Sequence, residues 1–173
     1  MNVLEGSLAT NAEALVPLHT DIFDLSSPTE WIADFLAEVE AMKAEFGNAV
    51  QFPPNCFLDM EAKIVRYESR KVLVVRIPVR ERTFNPVAMM QGGYIAAAFD
   101  NTMGPLSYMA ARKPCMTLDL HTQFIRSAGA GEVLTVTASV VSRGISTMVL
   151  GGEALNAKGK LVALATANAV VSA

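Results

Sequence analysis

From Gly92 to about Ala111 the chain carries a helix-length run that is apolar nearly all round, opened by two glycines and holding a single acid, Asp100. A helix with no polar face must be buried on most sides, so the rest of the chain has to supply its cover. The run is closed by Arg112-Lys113-Pro114, a natural stop. What flanks it reads as strands. Phe57 to Tyr67 alternates, with Leu58, Met60, Ala62 and Ile64 on one face, and the valine-rich stretch Lys71 to Val79 reads as its partner. After the helix, Met116, Leu118, Leu120 and Phe124 alternate with Thr117, Asp119, His121 and Gln123. Val133 to Ser142, Ile145 to Ala157 and Leu161 to Ser172 follow as strands, with turns at Ser127–Gly131, near Gly144, and at Asn156–Lys160. Two strands, a buried helix and four antiparallel strands give an α+β expectation: a curved sheet wrapped around a central helix.

Ahead of this unit, Ser27-Pro28-Thr29-Glu30 has the pattern of a capping box with Pro at the first helical position. Trp31, Phe35, Val39, Met42 and Phe46 follow at helical spacing, and Gly47 is a stop. The expectation is an extra amphipathic N-terminal helix packed on the domain or a neighbour. Residues 1–26 show no clear period.

The same glycine pair carries chemistry. Glycines let a ligand approach backbone amides closely. A helix start presents unpaired N–H groups and the positive end of the dipole. Together they suit a developing negative charge, such as a carbonyl oxygen under attack. Asp100 stands among Ala, Phe and Met, where an unpaired carboxylate is costly, so it is either satisfied by partners or kept for chemistry. Gly92 and Asp100 are eight residues apart, roughly 12 Å along a helix. One small carbonyl group does not touch both. If both serve one reaction, the second comes from another copy of the chain, which implies a homodimer with composite sites at its interface.

Bulk properties narrow the rest. With 173 residues, 51% hydrophobic and 18% charged, the chain is long and apolar enough for one sizeable core and is not of the disordered class. A net charge of −3 gives no electrostatic case for nucleic acid. The two cysteines, Cys56 and Cys115, are too few for a disulfide framework and read as buried thiols of a reducing compartment. The N-terminus lacks the basic region and apolar run of a signal peptide, and no apolar stretch spans a bilayer, so the expectation is a cytoplasmic protein off the membrane. No His/Cys/Asp spacing suggests a metal.

Taken in order, these residues resemble the hotdog-fold acyl-CoA thioesterases, and within them the phenylacetate-pathway, PaaI-type branch. Asn85, six residues, Gly92-Gly93, then Asp100 seven residues later match the family's central motif. Thr117-Leu118-Asp119-Leu120, Phe124-Ile125-Arg126, Arg143-Gly144 and Gly159-Lys160-Leu161-Val162-Ala163 match features downstream. The resemblance covers about Pro54 to Ala173 and implies a division into residues 1–50, an N-terminal arm and helix, and 51–173, the hotdog thioesterase domain. It implies that Asp100 activates water or attacks the carbonyl itself, that the Gly92 amide polarises the thioester carbonyl, and that Thr117 positions the attacking water. Asn85 would lie beside the reacting group, though it also reads as a turn former before Pro86. Gly93 permits close packing, and Met90 joins the core or the acyl-pocket lining. Arg126 and Arg143 are candidates for the phosphates of coenzyme A, and equally for ordinary solvated arginines.

The chain departs from the family pattern where many members have a histidine, with Gln91, which hydrogen-bonds but does not shuttle a proton near neutral pH. Ser127 replaces the usual proline after Arg126. The resemblance implies hydrolysis of a thioester to a carboxylic acid and coenzyme A, a dimer or tetramer, and no cofactor beyond the coenzyme A of the substrate. A non-catalytic acyl-CoA-binding protein and, further off, an acyl dehydratase remain as alternatives; the dehydratase wants a histidine paired with an acid, and the central motif has none.

Overall fold

The computed structural model describes residues 20–26, 28–47 and 51–172. Helix α1 spans Ile32–Phe46, a short helix α2 spans Asn55–Asp59, and the central helix α3 spans Gly92–Ala111. The strands are β1 (Lys63–Glu68), β2 (Val72–Pro78), β3 (Cys115–Phe124), β4 (Val133–Arg143), β5 (Thr147–Leu155) and β6 (Leu161–Val171). They form one antiparallel sheet in the order β1-β2-β4-β5-β6-β3, which leaves β3 at an edge.

Helix α3 packs on strands β2 to β6. Its sheet-facing side chains Ala98, Phe99, Met103 and Leu106 are buried against Leu73, Val75, Leu134 and Val136, among others. Small residues on the sheet set how closely the helix approaches. Ala165, Ala167 and Ala169 of β6 are buried. A Cβ at Gly152 of β5 would stand 2.7 Å from Met103 Cε, 3.0 Å from the Thr137 carbonyl oxygen and 3.1 Å from Phe99 Cδ1. Glycine is required there because α3 occupies the space.

Three expectations need correction. Phe57 to Asp59 is not strand: Pro54 caps the turn of α2, Phe57 is fully buried as a knob of that turn, and Glu61 takes a left-handed φ of 52°, so β1 begins only at Lys63. The capping box does not form over its described residues. Helix α1 starts at Ile32 behind Trp31, with no side-chain cap, and Pro28 lies ahead of it, its carbonyl accepting from Trp31 Nε1 at 2.6 Å. The aromatic stripe decides that start. Phe35 is fully buried between the rings of Tyr67, Phe52 and Phe23, with centroids at 5.2, 5.5 and 5.9 Å, and these contacts fix α1 to β1. Third, Cys56 is exposed; only Cys115 is a buried thiol.

Glu38 adds a polar tie from α1, accepting from Tyr67 Oη at 2.6 Å and Ser69 Oγ at 2.7 Å. No helix among the described residues is long and apolar enough to cross a membrane.

Candidate active site: the start of α3 and the Asp100 cleft

Asn85 shapes the loop that leads into α3. Its Oδ1 accepts from the amides of Val87 at 3.0 Å and Met89 at 3.1 Å, and its own amide donates to the Met89 carbonyl at 2.7 Å. The Met90 amide donates to Ala128 and the Gln91 amide to Thr83, each at 2.8 Å, so the loop is held on both sides. Met90 is buried beneath it. Gln91 is the N-cap of α3: its side-chain oxygen accepts from the Gly93 amide at 2.8 Å. The Tyr94 and Ile95 amides turn back to the Gln91 carbonyl. Among the described residues nothing accepts from the Gly92 amide. Capping by Gln91 thus leaves one free donor at the helix start, where the dipole favours negative charge.

That amide borders a cleft of about 400 Å³ between the 85–90 loop and the end of β3, lined by Asn85, Gly92, Phe124 and Arg126 among others. The Phe124 ring lies so close that a Cβ on Gly92 would stand 3.0 Å from its Cζ. Glycine at this position keeps both the ring and the amide accessible to a ligand.

Two turns further along α3, Asp100 is exposed in the chain, because the face carrying Gly93, Ala97, Asp100 and Gly104 turns away from the sheet. The expected burial among Ala, Phe and Met is corrected accordingly: the buried neighbours, Phe99 and Met103, point to the other side. Asp100 Oδ1 accepts a hydrogen bond from Thr117 Oγ1 at 2.9 Å.

Strict alternation would have kept Thr117 with Asp119, His121 and Gln123. The register of β3 against β6 shifts between Thr117 and Asp119, with Leu118 as the extra residue of a bulge. Thr117 pairs with buried Ala169, whereas Asp119 pairs with Asn168 and His121 with Thr166 on the other face. The bulge re-aims one side chain, as such irregularities do beside sites. His121 therefore stands on the face away from α3, and His19 lies outside the described residues.

Asp100 and Thr117 border a second cleft of about 390 Å³, walled by α1, by the 51–54 loop and by the C-terminal half of α3. Asn101, beside Asp100, does not serve it with a free amide. Its Oδ1 accepts from Cys56 Sγ at 3.0 Å and its Nδ2 donates to the Cys56 carbonyl at 3.3 Å, clasping α2 to α3. Cys115 at the back of the cleft is buried, which pushes its thiol pKa up. Neither the Asn101 clasp nor the Phe124 ring was visible in the sequence, since both depend on contacts between distant segments.

The chain thus brings Asn85, Gln91, Gly92, Gly93, Met90 and Arg126 to one end of α3, and Asp100 with Thr117 to its middle. Arg143 stands apart from the first group, donating to the Ala111 carbonyl at 3.3 Å at the far end of α3. Arg126 donates to the Leu161 carbonyl at 2.5 Å. No group of three His, Cys, Asp or Glu among the described residues is placed to hold a metal ion.

A family model described as Thioesterase superfamily matches residues 89–163, from the loop before Gly92 into β6. No curated protein matches the sequence. Solved structures do. The E. coli PaaI protein from the phenylacetic acid degradation operon is 21% identical, with 79% of this chain and 94% of that one covered and a TM-score of 0.68. A hypothetical thioesterase protein from Streptococcus pneumoniae, solved with coenzyme A, is 22% identical over 64% of this chain and 88% of that one, with a TM-score of 0.61. A thioesterase from Haemophilus influenzae is 18% identical over 67% and 81%, with a TM-score of 0.62. The chain has the hotdog fold, and its residues 89–163, which carry the Gly92 amide, Asp100 and Thr117, match the Thioesterase superfamily model.

Proposed function

We propose that the chain is an acyl-CoA thioesterase whose site is completed by a second copy. The observation that carries the reading is the free Gly92 amide at the start of the helix that also bears the Asp100–Thr117 pair. The two are roughly 12 Å apart along that helix. A twofold axis beside the middle of α3 would set the Gly92 end of one helix against Asp100 of the other. The edge strand supports such an axis. Met116, Leu118 and Phe124 of β3 are 65%, 62% and 55% exposed on an edge that has no strand partner among the described residues, and exposed apolar edges are normally covered. A tetramer of two such dimers is compatible with this arrangement.

In this site the thioester oxygen accepts from the Gly92 amide, which stabilises the negative charge that develops on it. Asp100 takes a proton from water as the water oxygen bonds to the carbonyl carbon. The tetrahedral intermediate collapses, the carbon–sulfur bond breaks, and the proton passes to the departing sulfur. The products are a carboxylic acid and coenzyme A. Direct attack by the Asp100 carboxylate on the carbonyl is the other route open to the same geometry. Thr117 holds the carboxylate, Asn85 and Gln91 hold the loop, and Gly93 and Met90 shape the wall. Arg126, at the Gly92 cleft, and Arg143 are candidates for the phosphates of coenzyme A. The reaction calls for no metal or dissociable cofactor.

The neighbour from Streptococcus pneumoniae solved with coenzyme A supports the substrate class, and that protein has also been solved with an aspartate or a threonine replaced by alanine. The test is release of free coenzyme A from a panel of acyl and aryl thioesters by wild type and Asp100→Asn. Turnover by wild type should fall about 10²–10⁴-fold in the variant. Binding of the thioesters without turnover by wild type would make the chain an acyl-CoA-binding protein instead.

A further inference from the structure

Glu61 stands where a glycine would be expected. It follows the C-cap residue of α2 with a left-handed φ of 52°. Its amide donates to the Leu58 carbonyl at 2.8 Å, and the Ala62 amide donates to the Phe57 carbonyl at 3.2 Å. This pair of bonds ends a helix on a left-handed residue. Glycine takes that backbone without steric cost, and glutamate does not. The side chain supplies the reason for keeping it. Glu61 Oε2 accepts from Arg80 Nε at 3.0 Å and from Arg80 Nη2, and Oε1 accepts from Arg82 Nη2 at 3.0 Å. Arg82 Nη2 also donates to the Asp59 carbonyl. The hydrogen bonds from Arg80 and then Arg82 hold the Glu61 carboxyl below its ordinary pKa.

These three side chains fasten one turn of chain to the end of α2, and that turn holds the start of α3. Arg82 lies within the short 3-10 turn Glu81–Thr83, and Arg80 immediately precedes it. The Thr83 amide and hydroxyl both donate to the Arg80 carbonyl, at 2.9 and 2.7 Å, and Thr83 is buried. The Thr83 carbonyl accepts from the Gln91 amide at 2.8 Å. The Gly92 N–H belongs to the planar peptide unit that begins at Gln91, so whatever fixes Gln91 also aims that N–H. Helix α2 is itself clasped to α3 through Cys56 and Asn101. The connection therefore runs from the middle of α3, through α2 and the clamp, back to the first residue of α3. Exposed ion pairs contribute little to stability, so the strained backbone at Glu61 is better explained by what the clamp positions.

We propose that Glu61, Arg80 and Arg82 are positioning residues: their clamp places the Thr83 carbonyl and, through Gln91, sets the direction in which the Gly92 amide meets the thioester oxygen. The proposal rests on the thioesterase reading. Every link in it is a hydrogen bond within one copy, and none depends on open space at the Asp100 face of α3. None of the three residues lies within the matched segment 89–163, so the device belongs to the part of the chain that precedes it.

The experiment compares wild type with Glu61→Gly, which suits the left-handed backbone and deletes the clamp, and Glu61→Gln, which keeps the length and one of the two acceptor oxygens. The readouts are melting temperature, hydrogen exchange at the Gln91 amide, and kcat and KM on the thioester that wild type hydrolyses best. Glu61→Gly should melt at or near the wild-type temperature, because the backbone is relieved as the ion pairs are lost. Its Gln91 amide should exchange about tenfold faster, as a local opening. Its kcat should fall about tenfold with KM changed about twofold or less, since a small misplacement of a reacting contact costs rate on at least that scale. Glu61→Gln should fall between. Unchanged Gln91 exchange, unchanged kcat, or a loss carried by KM alone would overturn the proposal. So would a lowered melting temperature with faster exchange throughout β4 and β5, which would make the clamp a general support of the fold. If wild type turns over no thioester, the thioesterase reading fails separately. Gln91 exchange then decides whether the clamp reaches the start of α3: faster in Glu61→Gly than in wild type supports it, and equal rates overturn it.

Discussion

Thr117 Oγ1 donates to Asp100 Oδ1 across 2.9 Å because the bulge at Leu118 turns Thr117 onto the helix side of β3. The strand and the helix thereby agree on one orientation of the carboxylate. That orientation is what a general base needs before a water arrives.

Thr117→Ser should keep the hydroxyl and most of the activity. Thr117→Val keeps the shape and deletes the donor. A hydrogen bond to a charged group is worth about 1.5–3 kcal/mol, so kcat should fall roughly 10- to 100-fold if the carboxylate loses its alignment. Steady-state kinetics on the best thioester, with thermal melting to show an intact fold, distinguish the two. Equal activity of Val and Ser at this position would make the contact incidental.

Gly92 occupies the first position of α3, where proline is tolerated because its missing N–H has no helical partner. Gln91 ahead of it is extended, with ψ of 140°, as a residue before proline should be. Gly92→Pro therefore removes the free donor while leaving the helix start able to form, and kcat should fall about 10²–10³-fold, the usual effect of losing an oxyanion donor. Gly92→Ala retains the amide and adds only a Cβ against Phe124, 3.0 Å from its ring. The half-exposed ring can shift, so the loss should be smaller. A greater loss for alanine than for proline would assign Gly92 to packing alone.

Stability should weaken at high pH through Tyr67. Burial, and then its hydrogen bond to Glu38, push the phenol pKa well above its ordinary value of 10.0. The folded state therefore holds the proton that the unfolded chain releases, and stability falls as pH rises above about 10. Tyr67→Phe should melt lower near neutral pH, because Glu38 loses a donor, and should show a flatter decline above pH 10. Melting curves from pH 7 to 11 read both effects. An identical alkaline slope in the variant would mean that other groups carry it.

Much of the architecture was legible because it follows from one constraint. The apolar run behind Gly92-Gly93 had to be covered, and the strands after it alternate cleanly, so helix α3 and strands β3 to β6 stand where the periodicity puts them. Segments whose pattern served two structures were not legible. Leu58, Met60, Ala62 and Ile64 alternate like a strand, yet Phe57 is claimed by the core as part of a helical turn. Ser27-Pro28-Thr29-Glu30 has the composition of a cap, but the aromatic packing of Phe35 sets where α1 begins. In the site, the spacing from Asn85 to Asp100 was readable, whereas the aim of Thr117 was not. A single inserted residue at Leu118 reverses which face it occupies, and alternation alone does not reveal a bulge. The cap made by Gln91 explains its presence without any proton transfer, and only geometry could show that its oxygen serves Gly93.

The central claim is that Gly92 of one copy and Asp100 of another build one site. A heterodimer of Gly92→Pro and Asp100→Asn chains, isolated through two different affinity tags, tests it directly. Each parent homodimer should be nearly inactive. In the heterodimer one site carries both lesions and the other carries neither, so the account predicts about half of wild-type turnover per dimer. If both groups served from the same chain, every site in the heterodimer would carry one lesion, and activity no higher than that of the parents would contradict the account.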